Sequence, residues 1–494
     1  MITWGISANS HDAALAVFTD NGLEFASHSE RFSGVKNDAH LNDKLIEYAK
    51  QWGEPDEVIW YERPFVKTLR QLRAGQGWNY NENNIRKYLR SYGIHAPIKY
   101  TDHHLAHAAA GYYTSTFSDA CCVVIDSIGE FDTLTIWHGK GKELKKIYSQ
   151  SYPHSLGLWY SALTQRLGLK PQEDEYILMG MAAYGDPMRL YNDILNDFIE
   201  VPEENLLNIF NDKPRIKFKH NLHRGCQWWR PDLTTEQDMF DIAAATQAVY
   251  QYLLKIISNW ARWKSPSGNL ILMGGCALNC SANGSIKSDW NDMYIMPNPG
   301  DAGSSIGAVL AHKKEFMPMN HMFTGYNIEG EYPVEQILKE LLETGICGVA
   351  NGRAEFGPRA LGNRSLLADP RGPDIKDRVN TIKRRQKFRP FAPAILAEHA
   401  DAYFDGYKGP FMQYTSTCTD PGLPAITHGD GSSRVQTVHA NQGLGFRKLL
   451  ERWYEETGCP VLLNTSLNIK GKPIVNDLTD AQEFANMYNV KVFS

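Results

Sequence analysis

The chain opens with two short apolar runs, residues 2–7 (ITWGIS) and 13–18 (AALAVF), which predict a pair of strands around a turn at Ala8–Asp12. Residues 40–52 carry helical spacing and lead into an apolar strand at Val58–Tyr61. A further strand is predicted over Cys121–Ile125, with Asp126 at its end, and a long helix over 239–262. Asn269–Met273 then reads as a strand running into Gly274–Gly275. Strands and helices in alternation predict an α/β fold. Residues 315–333 (EFMPMNHMFTGYNIEGEYP) lose this periodicity and read as a linker; a helix over 334–343 opens a second α/β unit that continues to the C-terminus.

One stretch carries unusual chemistry. TDHHLAHAAAGYY (101–113) places three histidines in five positions before an alanine run that favours helix. On a helix, His103 and His107 share a face and His104 does not. Two imidazoles at i and i+4 suit a metal, but partly buried structural histidines fit the same pattern, and both readings stand open on this stretch.

Composition narrows the class. At 494 residues the chain exceeds one ordinary core and predicts two or more domains. A net charge of −5 excludes a globally basic nucleic-acid coat while leaving room for a local basic groove. The eight cysteines form no C-x-x-C pair and several sit in apolar runs, which predicts buried free thiols in a reducing compartment. The N-terminus lacks a basic stretch and carries His11 and Asp12, unlike a signal peptide, and no apolar run reaches membrane-spanning length, so a cytoplasmic protein is expected.

Candidates for further metal ligands are Asp126 in VVIDSIGE and Asp301 in NPGDAGSSIGA, since carboxylates at strand ends and helix-opening loops project into clefts. With two imidazoles they would suit Fe²⁺, Mn²⁺ or Zn²⁺; the plainer alternatives are a turn residue and an N-cap. GGCALN (274–279) and GDAGSSIG (300–307) are glycine turns of the kind that can cradle phosphate. In the second unit, EFGPRALGNRS (355–365) offers Arg359 and Arg364, and IKRRQKFRPFAPAIL offers Lys383, Arg384, Arg385, Lys387 and Arg389 interleaved with Phe388, Pro390, Phe391 and Pro393. Arg434 and Asn464 follow in SSRVQTV and PVLLNTSLN. Cations among apolar residues favour an anion pocket over a solvated face.

Together these pieces resemble the O-carbamoyltransferase family, which includes nodulation-factor and aminoglycoside carbamoyltransferases. The matching motifs run along nearly the whole chain: GISANSHDAALAV, SERFSGVKND, HHLAHAAAGYY, VVIDSIGE, GGCALN, NPGDAGSSIGA, EFGPRALGNRSLLADPR, FRPFAPAIL, SSRVQTV and PVLLNTSLNIKGKPIV. The resemblance implies an actin-like domain (the duplicated ribonuclease H-like ATPase superfamily) over 1–325 and a YrdC-like α/β domain over 326–494. It implies that carbamoyl phosphate and ATP, with Mg²⁺ on the nucleotide, give carbamoyl adenylate in the second domain, and that the first transfers the carbamoyl group to an acceptor hydroxyl. Carried over by motif, His103, His107, Asp126 and Asp301 would hold a metal, Fe²⁺ or another divalent transition ion. His11 and Lys36 would serve the transfer, His11 as general base; Gly275, Asn279 and the Asp301 loop would hold the adenylate. Arg359, Arg389, Arg434 and Asn464, with Lys383 and Arg385 as close seconds, would bind carbamoyl phosphate. The chain departs from the family at Ile177, where a lysine is usual.

The resemblance leaves the acceptor open. Members carried by viruses are associated with hydroxymethylated bases, and two basic stretches with interleaved aromatics tilt the reading toward 5-hydroxymethylcytosine in DNA. They are 65–93, with Lys67, Arg70, Arg73, Arg86, Lys87, Arg90, Trp78, Tyr80 and Tyr88, and 213–232, with Lys213, Arg215, Lys217, Lys219, Arg224, Arg230, Phe218, Trp228 and Trp229. A small-molecule hydroxyl, of an antibiotic or sugar, is the alternative, and a catalytically inactive binding protein on the same scaffold is the rival of another class.

Overall fold

The computed structural model describes residues 1–200, 216–386, 388–389 and 391–494. The chain forms two compact units, one of Met1–Asn9 with Glu54–Pro318 and one of Ser10–Gly53 with Met319–Ser494. Both are mixed α/β. One division, Pro318/Met319, lies inside the stretch read as a linker, but that stretch also holds the strand Phe323–Ile328, paired antiparallel with Gly352–Glu355. The residues that make it a strand are those of its remote partner, which local periodicity does not register.

The first unit contains a parallel set in which Thr3–Ser7 pairs with Glu57–Trp60 and that strand with Ile98–Tyr100. Its second sheet runs in the order Asp292–Tyr294, Asn269–Met273, Asp119–Gly129, Asp132–Lys140, Glu143–Ser151, the first three strands parallel and the rest antiparallel. The helices His103–Thr114 and Ser304–Lys313 pack closely because a small residue sits at their contact: a Cβ on Gly307 would lie 1.9 Å from the Ala106 carbonyl oxygen. The helix predicted at 239–262 spans Glu236–Lys264, opened by a reciprocal cap between Thr235 and Asp238.

In the second unit a six-stranded sheet runs Gln436–Val438, Ala392–Leu396, Val461–Ser466, Arg364–Ala368, Ile346–Ala350, Val492–Phe493. Residues Ser10–Gly53 join it through distant partners: the Thr324 hydroxyl donates to the Ala26 carbonyl (3.1 Å), and Phe32, Tyr48 and Tyr326 form an aromatic cluster. All eight cysteines are free and six are buried. Ile177 is buried in the helix Glu175–Met181, an apolar packing role. Among the described residues no helix is long and apolar enough to cross a membrane.

Candidate metal and anion sites

Four side chains converge in the first unit. One ligand atom from each of His103, His107, Asp126 and Asp301 lies within 4.8 Å of the others. The helix spacing supplies the histidines, whose Nε2 atoms are 3.2 Å apart. His103 Nε2 stands 3.3 Å from Asp126 Oδ2, and His107 Nε2 stands 3.3 Å from Asp301 Oδ1. Asp126 is released from the ladder by a register shift between Ile125 and Gly129. Asp301 opens a turn before the helix Ser304–Lys313 and does not cap it.

The donor set fits a cation. His107 Nδ1–H donates to the Pro299 carbonyl (3.1 Å), which turns Nε2 toward the two carboxylates. Two imidazole nitrogens and two carboxylates at such spacing match the ligand edges around a transition ion, whose bonds of about 2.0–2.2 Å set such separations. Burial alone would push the His103 imidazole down, but Asp301 and Asp126 raise it well above its ordinary range. Burial would raise the Asp301 carboxyl, yet His103 and His107 hold it well below the usual carboxylate range. His104 faces elsewhere: its Nδ1 meets the Thr135 hydroxyl at 2.9 Å, and burial drives its pKa well down. It is the structural histidine of the three.

Surrounding groups fix the ligands. Asp102 caps the histidine helix, accepting from the Leu105 amide (3.1 Å), and receives an Arg63 Nη2 hydrogen bond (2.8 Å). Arg63 is held in turn by Glu130 through Nε at 3.0 Å. The Pro299 carbonyl that receives His107 also receives the Gly274 amide at 2.9 Å. Gly274 has φ +90°, and a Cβ there would lie 2.2 Å from the Ile125 carbonyl oxygen, so only glycine brings this turn so near the strand. Gly275 donates its amide to Asp126 Oδ1 (3.3 Å). Asn279 caps Cys280–Lys287 and pairs both ways with Gln247 at 3.0 Å. Gln247 was not singled out in the sequence; it sits among apolar residues of a long helix, with nothing local to distinguish it.

Gly129 is a further constraint. A Cβ there would come 2.2 Å from His103 Cδ2 and 2.6 Å from His104 Cδ2. Gly129→Ala is therefore expected to displace His103 and destabilise the unit by about 1–3 kcal/mol, with a fall in metal affinity measured by titration calorimetry alongside urea denaturation.

The second unit gathers the cations. Arg359 precedes the strand Arg364–Ala368, Arg389 precedes Ala392–Leu396 and Arg434 precedes Gln436–Val438. These strands run parallel to one another: Arg364–Ala368 and Ala392–Leu396 flank Val461–Ser466 antiparallel, and Gln436–Val438 pairs parallel with Ala392–Leu396, so the three arginines mark one end of the sheet. Asn464 lies at that end, opposite Ala392; its Nδ2 donates to Gln436 Oε1 (2.7 Å), while its Oδ1 is buried without a hydrogen-bond partner among the described residues. Lys383 is buried, with Nζ on Ser466 and Asn468; burial first, then Arg385 and Arg389, pushes its pKa well down. Arg385 donates Nε to Asn380 Oδ1 (2.8 Å) and stacks its guanidinium over Phe391. Arg364, by contrast, is fully buried and donates to the carbonyls of Asn351, Gly352, Tyr326, Asn363 and Asn476, a structural hub. Arg384 is exposed, and Lys387 and Pro390 lie outside the described residues. Lys376 and His428 join the cluster without having been singled out, because Lys376 acts on His428 across 52 residues of sequence and neither lies in one of the arginine-bearing motifs.

His428 gives a pH prediction. Burial, Arg434 and Lys376 outweigh Asp430 and lower its imidazole to about 4 from 6.5. Between those values the unfolded chain binds a proton that the folded chain refuses, so stability falls as pH drops through this window, by up to about 3 kcal/mol. Urea denaturation from pH 7 to 4.5 checks this, and His428→Asn should flatten the slope.

His11 and Lys36 fall in the second unit, on the Ser10–Gly53 segment. His11 Nε2 is buried without a hydrogen-bond partner among the described residues. Of the basic stretches, 65–93 leaves Trp78 and Tyr80 stacked at 6.2 Å and exposed. In the other, Trp229 is buried with Nε1 on Asp197, and Arg230 is paired with Asp193 and Asp232; Lys213 and Arg215 lie outside the described residues.

Comparison with known proteins identifies the class. The carbamoyltransferase N-terminus model matches residues 3–310 and the carbamoyltransferase C-terminus model matches 338–494. The chain belongs to the O-carbamoyltransferase family. It is 31% identical to the uncharacterized protein sll1178 of Synechocystis, over 97% of this chain and 93% of that one. It is 29% identical to nodulation protein NolNO of Sinorhizobium fredii, over 95% of this chain and 76% of that one. A 3'-hydroxymethylcephem-O-carbamoyltransferase of Amycolatopsis lactamdurans is 27% identical over 95% of this chain and 94% of its own length. Like other members of its family, this O-carbamoyltransferase is an enzyme.

Proposed function

We propose that this enzyme hydrolyses carbamoyl phosphate to carbamate and phosphate, joins the carbamate to ATP as carbamoyl adenylate with release of pyrophosphate, and passes the carbamoyl group to an acceptor hydroxyl with release of AMP. The observation that carries the reading is the convergence of His103, His107, Asp126 and Asp301 in a chain of this family. In this reading residues 1–325 form an actin-like transfer domain, of which the segment Ser10–Gly53 is grouped with the C-terminal compact unit, and 326–494 a YrdC-like domain. Arg359, Arg389, Arg434, Lys383 and Arg385 neutralise phosphate charge. The buried Asn464 Oδ1 accepts from the carbamoyl amine, the one donor that carbamoyl phosphate presents. Gly275 and Asn279 support the nucleotide turn. His11 takes the proton of the acceptor hydroxyl, and Lys36 holds the anionic end of the adenylate. A divalent transition ion such as Fe²⁺ bound by the four ligands would polarise the carbamoyl carbonyl.

For the acceptor we favour the hydroxymethyl group of 5-hydroxymethylcytosine in DNA. The exposed Trp78–Tyr80 stack, in a stretch of sequence that also exposes Arg73, Arg86, Lys87 and Arg90, supports it, since exposed aromatics and cations hold bases and phosphates. The cephem relative is named for a hydroxymethyl acceptor, so the same bond could form here on a small molecule. Incubation with Fe²⁺, ATP, Mg²⁺ and labelled carbamoyl phosphate, offering 5-hydroxymethylcytosine DNA, unmodified DNA and an aminoglycoside, decides between them by mass spectrometry. An adduct on the modified base alone is expected. Carbamoyl-phosphate-dependent pyrophosphate exchange without a DNA adduct would move the acceptor to small molecules, and absence of exchange from metal-loaded protein would overturn the catalytic reading.

A further inference from the structure

We propose that Arg31 is a positioning residue that locks the Arg359 loop to the segment carrying His11 and Lys36, so that these groups move as one piece. The proposal rests on the roles proposed above for those three residues.

Arg31 lies on the short helix Glu30–Ser33 and is buried, 4% exposed. Its Nη2 donates to the Gly357 carbonyl at 2.9 Å, across 326 residues of sequence, two residues before Arg359. Its Nε stands 3.6 Å from Glu30 Oε1. The other Glu30 oxygen accepts the Asn37 amide at 2.8 Å and so holds the turn beside Lys36, where Asn37 takes φ +53°. Asp12, next to His11, stands 3.6 Å from His28 Nδ1, and the His28 ring packs 5.1 Å from Phe356. Gly34–Asp38 and Phe356–Arg359 therefore meet on this helical turn, and Ser10–Ala13 joins them beside it, through His28 at the end of the preceding strand and through the Ala13 amide, which donates to the Asp38 carbonyl at 2.8 Å.

The charges agree with a deliberate placement. Burial draws the Arg31 guanidinium below its ordinary range, and Glu30, Glu355 and Asp12 oppose that. Glu355 in turn receives the amides of Leu361 (2.7 Å) and Asn363 (3.0 Å), bracing the far side of the same loop. The guanidinium donates one hydrogen bond, to the Gly357 carbonyl, and faces the Glu30 carboxylate as a charge at 3.6 Å, its Nε and Nη1 having no hydrogen-bond partner among the described residues; its planar fork can reach both groups at once, which an ammonium on a single stem does less well.

Arg31→Met, Arg31→Lys and Glu30→Gln test this in the full-length protein. Arg31→Met is expected to raise the KM for carbamoyl phosphate in ATP–pyrophosphate exchange about tenfold or more with a smaller change in kcat, because a misplaced arginine weakens substrate positioning. Arg31→Lys should recover part of the loss. Hydrogen exchange should speed up in peptides covering 355–361 and 34–38 and stay unchanged over the helix Glu236–Lys264. An unchanged KM with a lowered Tm, or exchange that speeds up uniformly, would overturn the proposal. Should Arg31→Met fail to fold, Glu30→Gln carries the test: faster exchange confined to 34–38 supports the lock and unchanged exchange there sinks it. Wild-type protein without pyrophosphate exchange would reject the functional reading, while the hydrogen-exchange result would still judge the lock.

Discussion

His107→Ala is expected to lose metal binding and carbamoyl transfer together, with carbamoyl-phosphate-dependent pyrophosphate exchange continuing. The expected drop in metal affinity is at least about 100-fold, since disturbing even an outer partner of a metal histidine costs 10–100-fold. The physical reason lies in the charge arrangement. Asp126 is buried and Asp301 half-buried beside His103, and the imidazoles hold both carboxyls below their ordinary range. Removing His107 takes away one donor and one of the groups that hold Asp301 low, so the remaining carboxylates repel each other and one takes up a proton. Metal content by mass spectrometry, set beside exchange and transfer rates, reads this directly. His104→Asn, which changes a ring bonded to Thr135, should lower stability and leave metal content unchanged. Full metal occupancy in His107→Ala would remove this residue from the site.

Arg434→Ala gives the complementary result: pyrophosphate exchange falls by about 10²–10³-fold, as for loss of a group that stabilises developing charge, and bound metal is retained. Arg434 Nε is buried and has no hydrogen-bond partner among the described residues, so its guanidinium is not consumed by structure. Arg364 provides the contrast. Burial first, and then the nearby Arg31 charge, bring its pKa down to about 10, while its five carbonyl acceptors hold neighbouring backbone together, so Arg364→Ala should cost folding before it costs chemistry. Steady-state exchange kinetics with thermal unfolding of both variants separates the two roles. Equal thermal losses, with exchange lost in proportion, would return Arg434 to the structural class.

The roles of the two arginines in EFGPRALGNRS could not be told apart in the sequence. Both are arginines beside glycine, and only burial and the carbonyls around Arg364 distinguish them. The same holds for the tryptophans of the basic stretches, where Trp78 is exposed and Trp229 is buried on Asp197.

Local sequence fixed the elements and the spacing. The strand Asn269–Met273 follows from a short continuous apolar run ending in a glycine turn, and the long helix and the shared face of His103 and His107 from the 3.6-residue period that helix geometry imposes. Tertiary structure alone decided what meets. Asp126 and Asp301 come from elements 175 residues apart in the chain and are brought to the histidines by strand pairing and helix packing. The grouping of Ser10–Gly53 with the C-terminal unit likewise depends on contacts such as Arg31 with Gly357. Such contacts carry no local signature, because burial is shared among residues that one chain's pattern cannot pair.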